Sequence, residues 1–144
     1  MAVEVLELHH HAIRVGPSEA EVKQAGEFYQ TVLGLSPDPG RSIPGQPGHW
    51  MNVGETAQVH LMGITGTSSF ARDAKMDPSL PHVALAVPDI QEAKKELDRI
   101  GQAYWSITGV TGPNAEQVFM HDPAGNIIEL HQAGTCRCVG SRGR

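Results

Sequence analysis

The stretch Leu8-His9-His10-His11-Ala12-Ile13-Arg14-Val15 and its repeat, Leu80-Pro81-His82-Val83-Ala84-Leu85-Ala86-Val87, decide the fold that we predict for this chain. Both stretches are apolar, partly β-branched and followed by turn residues, which predicts two β-strands. Aligning them superposes His10 on His82 and Ala12 on Ala84. Because side chains alternate between the two faces of a strand, His10 and His82 should lie on equivalent faces. The opposite face is predicted to form core and carries His11, Ile13, Val15, Val83, Leu85 and Val87.

Each of the two strands is followed by a helix with matching start and stop signals. Ser18-x-x-Glu21 and Asp89-x-x-Glu92 have the form of capping boxes, and Gly34 and Gly101 end the two patterns. Apolar residues at helical spacing predict the buried face of each helix. They are Val22, Ala25, Tyr29 and Val32 in the first helix and Ile90, Ala93, Leu97 and Ile100 in the second.

The rest of each half has strand-like patterns. Residues 49–53 and 57–62 form a predicted hairpin in the first half, and the second half offers strands at 103–107, 117–121 and 126–131. The turn Asp122-Pro-Ala-Gly125 precedes the last strand. The Pro- and Gly-rich stretch 37–48 predicts either an edge strand or a loop. We therefore predict an α+β fold of two βαβββ units, at 1–64 and 80–133, with a linker at 65–79 and a flexible tail at 134–144.

The composition narrows the classes of partner. The chain has 144 residues and a formal net charge of −5, which argues against nucleic acid or an anionic membrane as partner. Its apolar runs are too short for a membrane span, and no leader pattern opens the sequence. The only cysteines, Cys136 and Cys138, lie near the end, where a loose terminus is favoured over a metal-chelating Cys-x-Cys pair. We expect a cytoplasmic, reduced setting.

Four polar residues occupy two pairs of matched positions in the repeat. Val59-His60-Leu61 aligns with Ile128-Glu129-Leu130, so His60 corresponds to Glu129 as His10 corresponds to His82. Three imidazoles and one carboxylate suit Zn, Ni, Co, Mn or Fe(II). The alternative is that each is an ordinary hydrogen-bonded interior residue. Because all four occupy matched positions, we predict one divalent metal ion bound by His10, His60, His82 and Glu129.

Other polar and aromatic residues surround these positions in the alignment. Trp50 and Asn52 align with Phe119 and His121, and His131 shares the strand face of Glu129. Arg14 shares the face of His10, where it could meet an anionic substrate or simply lie at the surface. We predict that these residues contact the substrate or support the ligands: Arg14, Trp50, Asn52, Phe119, His121 and His131. By strand phase His9 and His11 point away from the site, and His49 is assigned to the surface.

Several of these motifs together resemble the vicinal oxygen chelate superfamily. That superfamily includes glyoxalases, methylmalonyl-CoA epimerase, extradiol dioxygenases, and fosfomycin and bleomycin resistance proteins. The resemblance covers roughly residues 5–133. It is carried by His-x-Ala-Ile-x-Val at 10–15, Phe28-Tyr29 with Val32-Leu33-Gly34-Leu35, Val59-His60-Leu61, Pro81-His82-Val83-Ala84 and Phe119-Met-His-Asp-Pro-Ala-Gly-Asn-Ile-Ile-Glu-Leu130.

The resemblance implies a cup-shaped, incomplete barrel around one metal ion, with ligands at the four positions already named. Glyoxalase I typically has Glu, and the epimerase Gln, where this chain has His60. We expect a metal-dependent lyase or isomerase of glyoxalase type, which acts on a small oxygen-chelating molecule with Glu129 as candidate base. The alternatives are an Fe(II) extradiol-type dioxygenase, which would use His10, His82 and Glu129 alone, and a non-catalytic antibiotic-binding resistance protein. We also expect a homodimer.

Overall fold

The computed structural model describes residues 2–39, 43 and 45–134, so the two cysteines lie outside the described residues. The chain divides into two compact units. The N-terminal unit comprises the described residues of 10–81, and the C-terminal unit those of 1–9 and 82–144. The first strand, β1 (Glu7–Arg14), contributes residues to both units.

The N-terminal unit contains one helix and a small mixed sheet. After β1 come α1 (Glu19–Leu33), β2 (Ser36–Pro37), β3 (Gly48–Val53) and β4 (Ala57–Met62). The strand order is β2-β3-β4-β1. β4 pairs in parallel with β1, while the other two pairings are antiparallel.

The C-terminal unit has the same arrangement. Its elements are β5 (His82–Val87), α2 (Ile90–Ile100), β6 (Trp105–Thr108), β7 (Glu116–His121) and β8 (Ile127–Gln132). The strand order is β5-β8-β7-β6, again with one parallel pair, β5–β8, and two antiparallel pairs. The predicted α+β fold of two βαβββ units is confirmed. The division at residues 64, 79 and 133 stays a prediction.

The strand registers confirm the alignment of the two repeats. Ala12 lies opposite His60 in the parallel pair of the N-terminal unit, and Ala84 lies opposite Glu129 in that of the C-terminal unit. The antiparallel pairs match as well, with Trp50 opposite His60 and Phe119 opposite Glu129. The equal turn lengths assumed in the sequence alignment are therefore real.

The buried faces of the two helices are shorter than the sequence pattern predicts. In α2, Ile90, Ala93 and Leu97 are buried against Val87, Val118 and Leu130, but Ile100 at the end is 49% exposed. In α1, Val22 and Gly26 are buried and Val32 is 62% exposed. His49, predicted at the surface, is half-buried, and its ring lies where a Cβ at Gly26 would come within 2.9 Å. The missing Cβ of Gly26 is what allows this packing.

The two predicted capping boxes differ in the structure. Asp89 accepts hydrogen bonds from the backbone N–H groups of Gln91 and Glu92, as an N-cap should. Ser18 also occupies an N-cap position but makes no side-chain cap hydrogen bond. Its hydroxyl donates to the carboxylate of Glu21 instead, so the predicted capping box at α1 is wrong.

The core face predicted for β1 is also wrong at one position. His11 is exposed and Ile13 is half-buried, whereas the opposite face, with His10 and Ala12, is almost completely buried. The polar face of this strand is therefore the buried one. In the C-terminal unit Leu85 and Val87 do pack with the buried residues of α2, as predicted.

The segments between the helices and long strands have the structure that their Pro and Gly residues predict. The Pro- and Gly-rich stretch contributes only β2, where Pro37 pairs with Met51 at a sheet edge, and an isolated bridge between Ile43 and Gln46. The turn before β8 has the predicted form, with Gly125 at φ +90° and its N–H donating to the carbonyl of Asp122. Within the part of the chain that the structure describes, neither helix has the length and hydropathy needed to cross a membrane.

Candidate metal centre

In the N-terminal unit, His10 and His60 form a stacked pair. Their ring centroids are 3.8 Å apart and the ring planes differ by 16°. His10 comes from β1 and His60 from β4, and both are buried, at 3% and 8% exposure. The indole of Trp50 contacts His60 edge-on, with centroids 5.4 Å apart. The predicted pair of imidazoles is thus brought together on one buried strand face.

A buried glutamine determines how the His60 ring is protonated. Gln58 donates its amide N–H groups to Asp38 and to Asn52, both at 3.0 Å, so its Oε1 is left to accept. This Oε1 lies 3.0 Å from Nε2 of His60. An amide oxygen cannot donate, and Nε2 must therefore carry the proton. The lone pair of the neutral ring is then on Nδ1, which is the arrangement of a histidine whose second nitrogen binds a metal ion.

In the C-terminal unit, His82 and Glu129 form the equivalent pair. Nε2 of His82 lies 3.1 Å from Oε1 of Glu129, and both side chains are almost fully buried. The other carboxylate oxygen, Oε2, accepts a hydrogen bond of 3.1 Å from Nε2 of Gln117. A buried carboxylate is costly unless hydrogen bonds or positive charge compensate it, and these contacts supply part of that compensation.

Two further histidines lie beside this pair. His131 is buried on the face of Glu129, with Nε2 3.9 Å from Oε2 of that carboxylate. His9 is buried too and stacks on His131, with ring centroids 3.9 Å apart and planes differing by 13°. The supporting role predicted for His131 next to Glu129 stays a prediction. The stack with His9 was not predicted, because strand phase alone gives no information about neighbouring strands.

Aromatic side chains line the same face of the C-terminal sheet. Phe119 is completely buried and stacks on Trp105, with centroids 5.5 Å apart. Trp105 also contacts His121 at 5.1 Å, and His82 meets the edge of Phe119 at 6.0 Å. Phe119 and His121 were predicted to belong to the site. Trp105 was not singled out, because only its pairing with Phe119 across β6–β7 brings it there.

Arg14 contacts a polar cluster of the N-terminal unit, which consists of Ser68, Asp77 and Ser79. Its Nε donates to the carbonyl of Ser79 at 2.9 Å, and its Nη2 donates to the Ser79 hydroxyl at 2.8 Å. Nη2 also lies 3.7 Å from the carboxylate of Asp77. Asp77 is 1% exposed and accepts four hydrogen bonds, two from Ser68 and two from Ser79. Burial raises the pKa of Asp77, but these hydrogen bonds outweigh burial and hold it below its ordinary value.

Comparison with known proteins finds relatives in sequence and in fold. No protein-family model matches the chain. A glyoxylase I 4 of Arabidopsis thaliana is 25% identical to it over 118 residues, which are 81% of this chain and 64% of that protein. The chain thus spans just under two thirds of this relative.

Solved structures share the fold. Methylmalonyl-CoA epimerase from Mycobacterium tuberculosis matches with a TM-score of 0.67 and 24% identity, over 92% of this chain and 91% of that one. The epimerase of Streptomyces coelicolor in complex with 2-nitronate-propionyl-CoA matches with a TM-score of 0.65 and 15% identity, over 90% and 98%. A catechol 2,3-dioxygenase matches with a TM-score of 0.57 and 15% identity, over 96% of this chain and 44% of that one.

The chain is similar in sequence and fold to proteins of the vicinal oxygen chelate superfamily. The proteins that it resembles include a glyoxylase I and methylmalonyl-CoA epimerases, which are enzymes. The likeness to the solved structures, each under 25% identical, establishes the fold and does not identify the reaction of this chain.

The donor chemistry of this chain fits a divalent metal ion. His10, His82 and Glu129 are buried, and each offers a ring nitrogen or carboxylate oxygen that could bind such an ion. Imidazole and carboxylate are ligands of first-row divalent metals in general, so the set does not select one metal. Sequence reasoning missed Gln58 and Gln117, the two glutamines that hold His60 and Glu129. For Gln58 the signal was present, because it lies two residues before His60 and therefore on the same strand face.

Proposed function

We propose that this chain is a divalent-metal-dependent enzyme of glyoxalase type, a lyase or isomerase that acts on a small oxygen-chelating substrate. His10, His60, His82 and Glu129 are its proposed ligands. The observation that carries the proposal is the occurrence of two buried donor pairs, His10 with His60 and His82 with Glu129, at equivalent positions of two repeated units.

The hydrogen bond between Gln58 and His60 supports His60 as the fourth ligand. It holds the ring in the tautomer with Nδ1 unprotonated, and metal-binding histidines commonly donate their other ring N–H to an oxygen. Four protein ligands would suit redox-silent Lewis-acid chemistry at a bound divalent ion. The same four donors count against a resistance protein that only sequesters its ligand.

The proposed reaction moves a proton next to a carbonyl or enediolate. A bound divalent ion supplies Lewis-acid polarisation of a substrate oxygen. Glu129 is the proposed base, because it is the carboxylate among the four residues. The N–H of Gln117 that reaches Oε2 orients this carboxylate.

A second candidate is an Fe(II) dioxygenase. His10, His82 and Glu129 have the composition of the two-histidine, one-carboxylate set found in non-haem iron oxygenases. A catechol 2,3-dioxygenase has a similar fold, which is compatible with this candidate. Here His60 would line the substrate pocket without binding the ion.

Metal loading combined with a substrate screen separates the two candidates. Apoprotein is loaded separately with Zn, Ni, Mn and Fe(II), and each form is assayed with and without oxygen. The substrates are a hemithioacetal, a CoA thioester of a branched acid and a catechol. Turnover of the hemithioacetal or the thioester by a redox-silent metal without oxygen supports the proposal. Turnover of catechol by the iron form alone, with oxygen consumed, would overturn it in favour of the dioxygenase.

The expected homodimer and cytoplasmic location remain proposals. A molar mass of about twice that of one chain, measured by light scattering after gel filtration, is the result that the dimer predicts.

A further inference from the structure

The hydrogen bonds around Gln58 extend from His60 to a carboxylate beside the edge strand of the N-terminal sheet. Nε2 of Gln58 donates to Oδ2 of Asp38 and to Oδ1 of Asn52, while its Oε1 lies 3.0 Å from Nε2 of His60. Asn52 in turn donates to the hydroxyl of Ser36 at 3.3 Å. His60, Gln58 and Asp38 therefore form a chain in which each side chain donates to the next.

The backbone of Asp38 is attached to the neighbouring strand. Asp38 directly follows β2, and its N–H donates to the carbonyl of Trp50 at 2.8 Å. Trp50 is the residue whose indole contacts His60 edge-on. Gln58, which receives the carboxylate, is 2% exposed. The carboxylate of Asp38 is thus held next to a buried amide by a main-chain hydrogen bond to the same strand that contacts His60.

An amide side chain has two possible orientations, because rotation exchanges its oxygen with its NH₂ group. If Gln58 were reversed, its NH₂ group would donate to Nε2 of His60, and the proton of a neutral ring would lie on Nδ1. Asn52 and Ser36 could follow this reversal, since an amide and a hydroxyl each offer a donor and an acceptor. Asp38 could not follow it, because an ionised carboxylate has no proton to donate to Oε1 of a reversed Gln58.

We propose that Asp38 is a positioning residue, which determines the protonated nitrogen of His60 by fixing the orientation of Gln58. Reversal of Gln58 beside Asp38 would replace a hydrogen bond to a charged group by a contact between two acceptors. The observed orientation should therefore be favoured by about tenfold or more. The position of the ring proton does not depend on a metal ion, whereas the binding of such an ion by Nδ1 rests on the proposed function.

The test is Asp38→Asn, which nearly preserves the size of the side chain and adds a donor. The reversed orientation of Gln58 can then form all its hydrogen bonds, so both tautomers of His60 should be populated. ¹H–¹⁵N NMR of the full metal-free chain, in alkaline buffer in which imidazole is neutral, identifies the protonated nitrogen. The chain has eight histidines, and His60→Gln assigns the signals of His60.

The expected result is a change in the tautomer ratio. In the unmodified protein about nine tenths or more of the His60 ring should carry its proton on Nε2, as a tenfold preference requires. In Asp38→Asn the fraction with the proton on Nδ1 should rise by about threefold or more, since the cost of the reversed orientation is removed. Circular dichroism and thermal unfolding establish that each variant is folded.

Two further variants separate positioning from a general structural effect. Asp73→Asn makes the same chemical change at an exposed carboxylate, which accepts backbone hydrogen bonds from Lys75 and Met76, and should leave the His60 signals unchanged. Gln58→Leu removes the amide through which Asp38 acts. Asp38→Asn added to Gln58→Leu should therefore cause no further change in the tautomer ratio.

An unchanged tautomer ratio in Asp38→Asn would overturn the inference, and so would an equal change in Asp73→Asn or a further change in the double variant. If Asp38→Asn does not fold, the unmodified protein still decides, because similar amounts of the two His60 tautomers would contradict a fixed Gln58. Failure of the proposed function gives a different result. The tautomer ratio would then respond to Asp38→Asn, while addition of Zn would leave both ring ¹⁵N signals of His60 unshifted.

Discussion

Nε2 of His82 lies 3.1 Å from Oε1 of Glu129, on neighbouring parallel strands. The residue directly opposite Glu129 is Ala84, which is completely buried, and Ala12 lies opposite His60 in the other unit. A methyl group at each of these positions leaves the volume beside the donor to larger polar side chains. The repeated alanine is therefore part of how the strands accommodate the two donor pairs.

Removing His82 or Glu129 should abolish stoichiometric metal retention. Each alanine variant deletes one of four proposed protein donors, and Glu129→Ala also leaves the N–H of Gln117 without its acceptor. The measurement is metal content by mass spectrometry after gel filtration, with purification carried out without added metal. The matched control is His11→Ala, whose side chain is exposed on the same strand as His10 and should leave metal content unchanged.

The opposite pattern would contradict the assigned register. If His11→Ala lost the metal and His10→Ala retained it, the strand would face the other way, because a shift of one residue exchanges the two faces.

Replacing His60 should separate the two candidate reactions. His60→Gln leaves an amide that can still bind a metal ion, though less tightly than imidazole, so the four-ligand enzyme should retain part of its metal and a reduced oxygen-independent rate. Under the dioxygenase candidate the same change should leave iron content intact. The measurements are metal stoichiometry and anaerobic turnover. Unchanged affinity for every metal tested would exclude His60 from the ligand set.

The repeat was predictable from sequence because each unit carries its own local signals. The strand pattern around His10 and His82, the glycines after each helix and the turn before β8 depend on near neighbours in the chain. The same reasoning correctly placed His60 and Glu129 at equivalent positions of the two repeats, because turns of equal length produce equal strand registers.

What escaped prediction depends on contacts between residues distant in sequence. Strand phase assigned His11 to the core and did not find the stack of His9 on His131, which is made by strands separated by most of the chain. Ser18 fulfils the sequence rule for a cap, yet its hydroxyl bonds to Glu21 instead. A pattern indicates what a residue can do, and tertiary contacts decide between the options.

The two helix N-termini should respond differently to loss of their caps. Asp89→Ala removes an acceptor for two backbone N–H groups and should lower the free energy of unfolding by about 1 kcal/mol. Ser18→Ala should cost less, because this hydroxyl caps no backbone group. Urea unfolding of both variants checks the difference. A larger loss for Ser18→Ala than for Asp89→Ala would show that Ser18 caps α1 in solution.

Gly63 should tolerate no side chain. A Cβ at this position would lie 2.5 Å from Cγ2 of Val22 and 3.0 Å from the carbonyl oxygen of Pro47, a backbone atom that cannot turn away. Overpacking of this kind costs about 1–3 kcal/mol. Gly112→Ala is the matched control, since its nearest contact would be an ordinary 3.6 Å to Ala115. Equal melting temperatures for the two variants would contradict the close packing of α1 against this segment.

Asp77 should stabilise the fold in a pH-dependent way. Its pKa is lowered in the folded protein because the hydrogen bonds from Ser68 and Ser79 outweigh the effect of burial. A carboxyl group with a depressed native pKa contributes stability above its unfolded pKa of about 4, and this contribution is lost as pH falls through the native value. Asp77→Asn should therefore cost about 1–3 kcal/mol at pH 7, and the difference from the unmodified protein should shrink below pH 4.

Urea unfolding at a series of pH values between 2 and 7 measures this difference. Asp73→Asn is the control, because Asp73 is exposed and accepts turn hydrogen bonds from Lys75 and Met76, which an asparagine oxygen also accepts. The cost of Asp77→Asn also tests the support of Arg14, whose guanidinium loses a nearby negative charge in this variant. A stability difference that stays constant from pH 7 down to pH 2 would contradict this prediction. It would show that ionisation of the Asp77 carboxylate does not contribute to the stability of the fold.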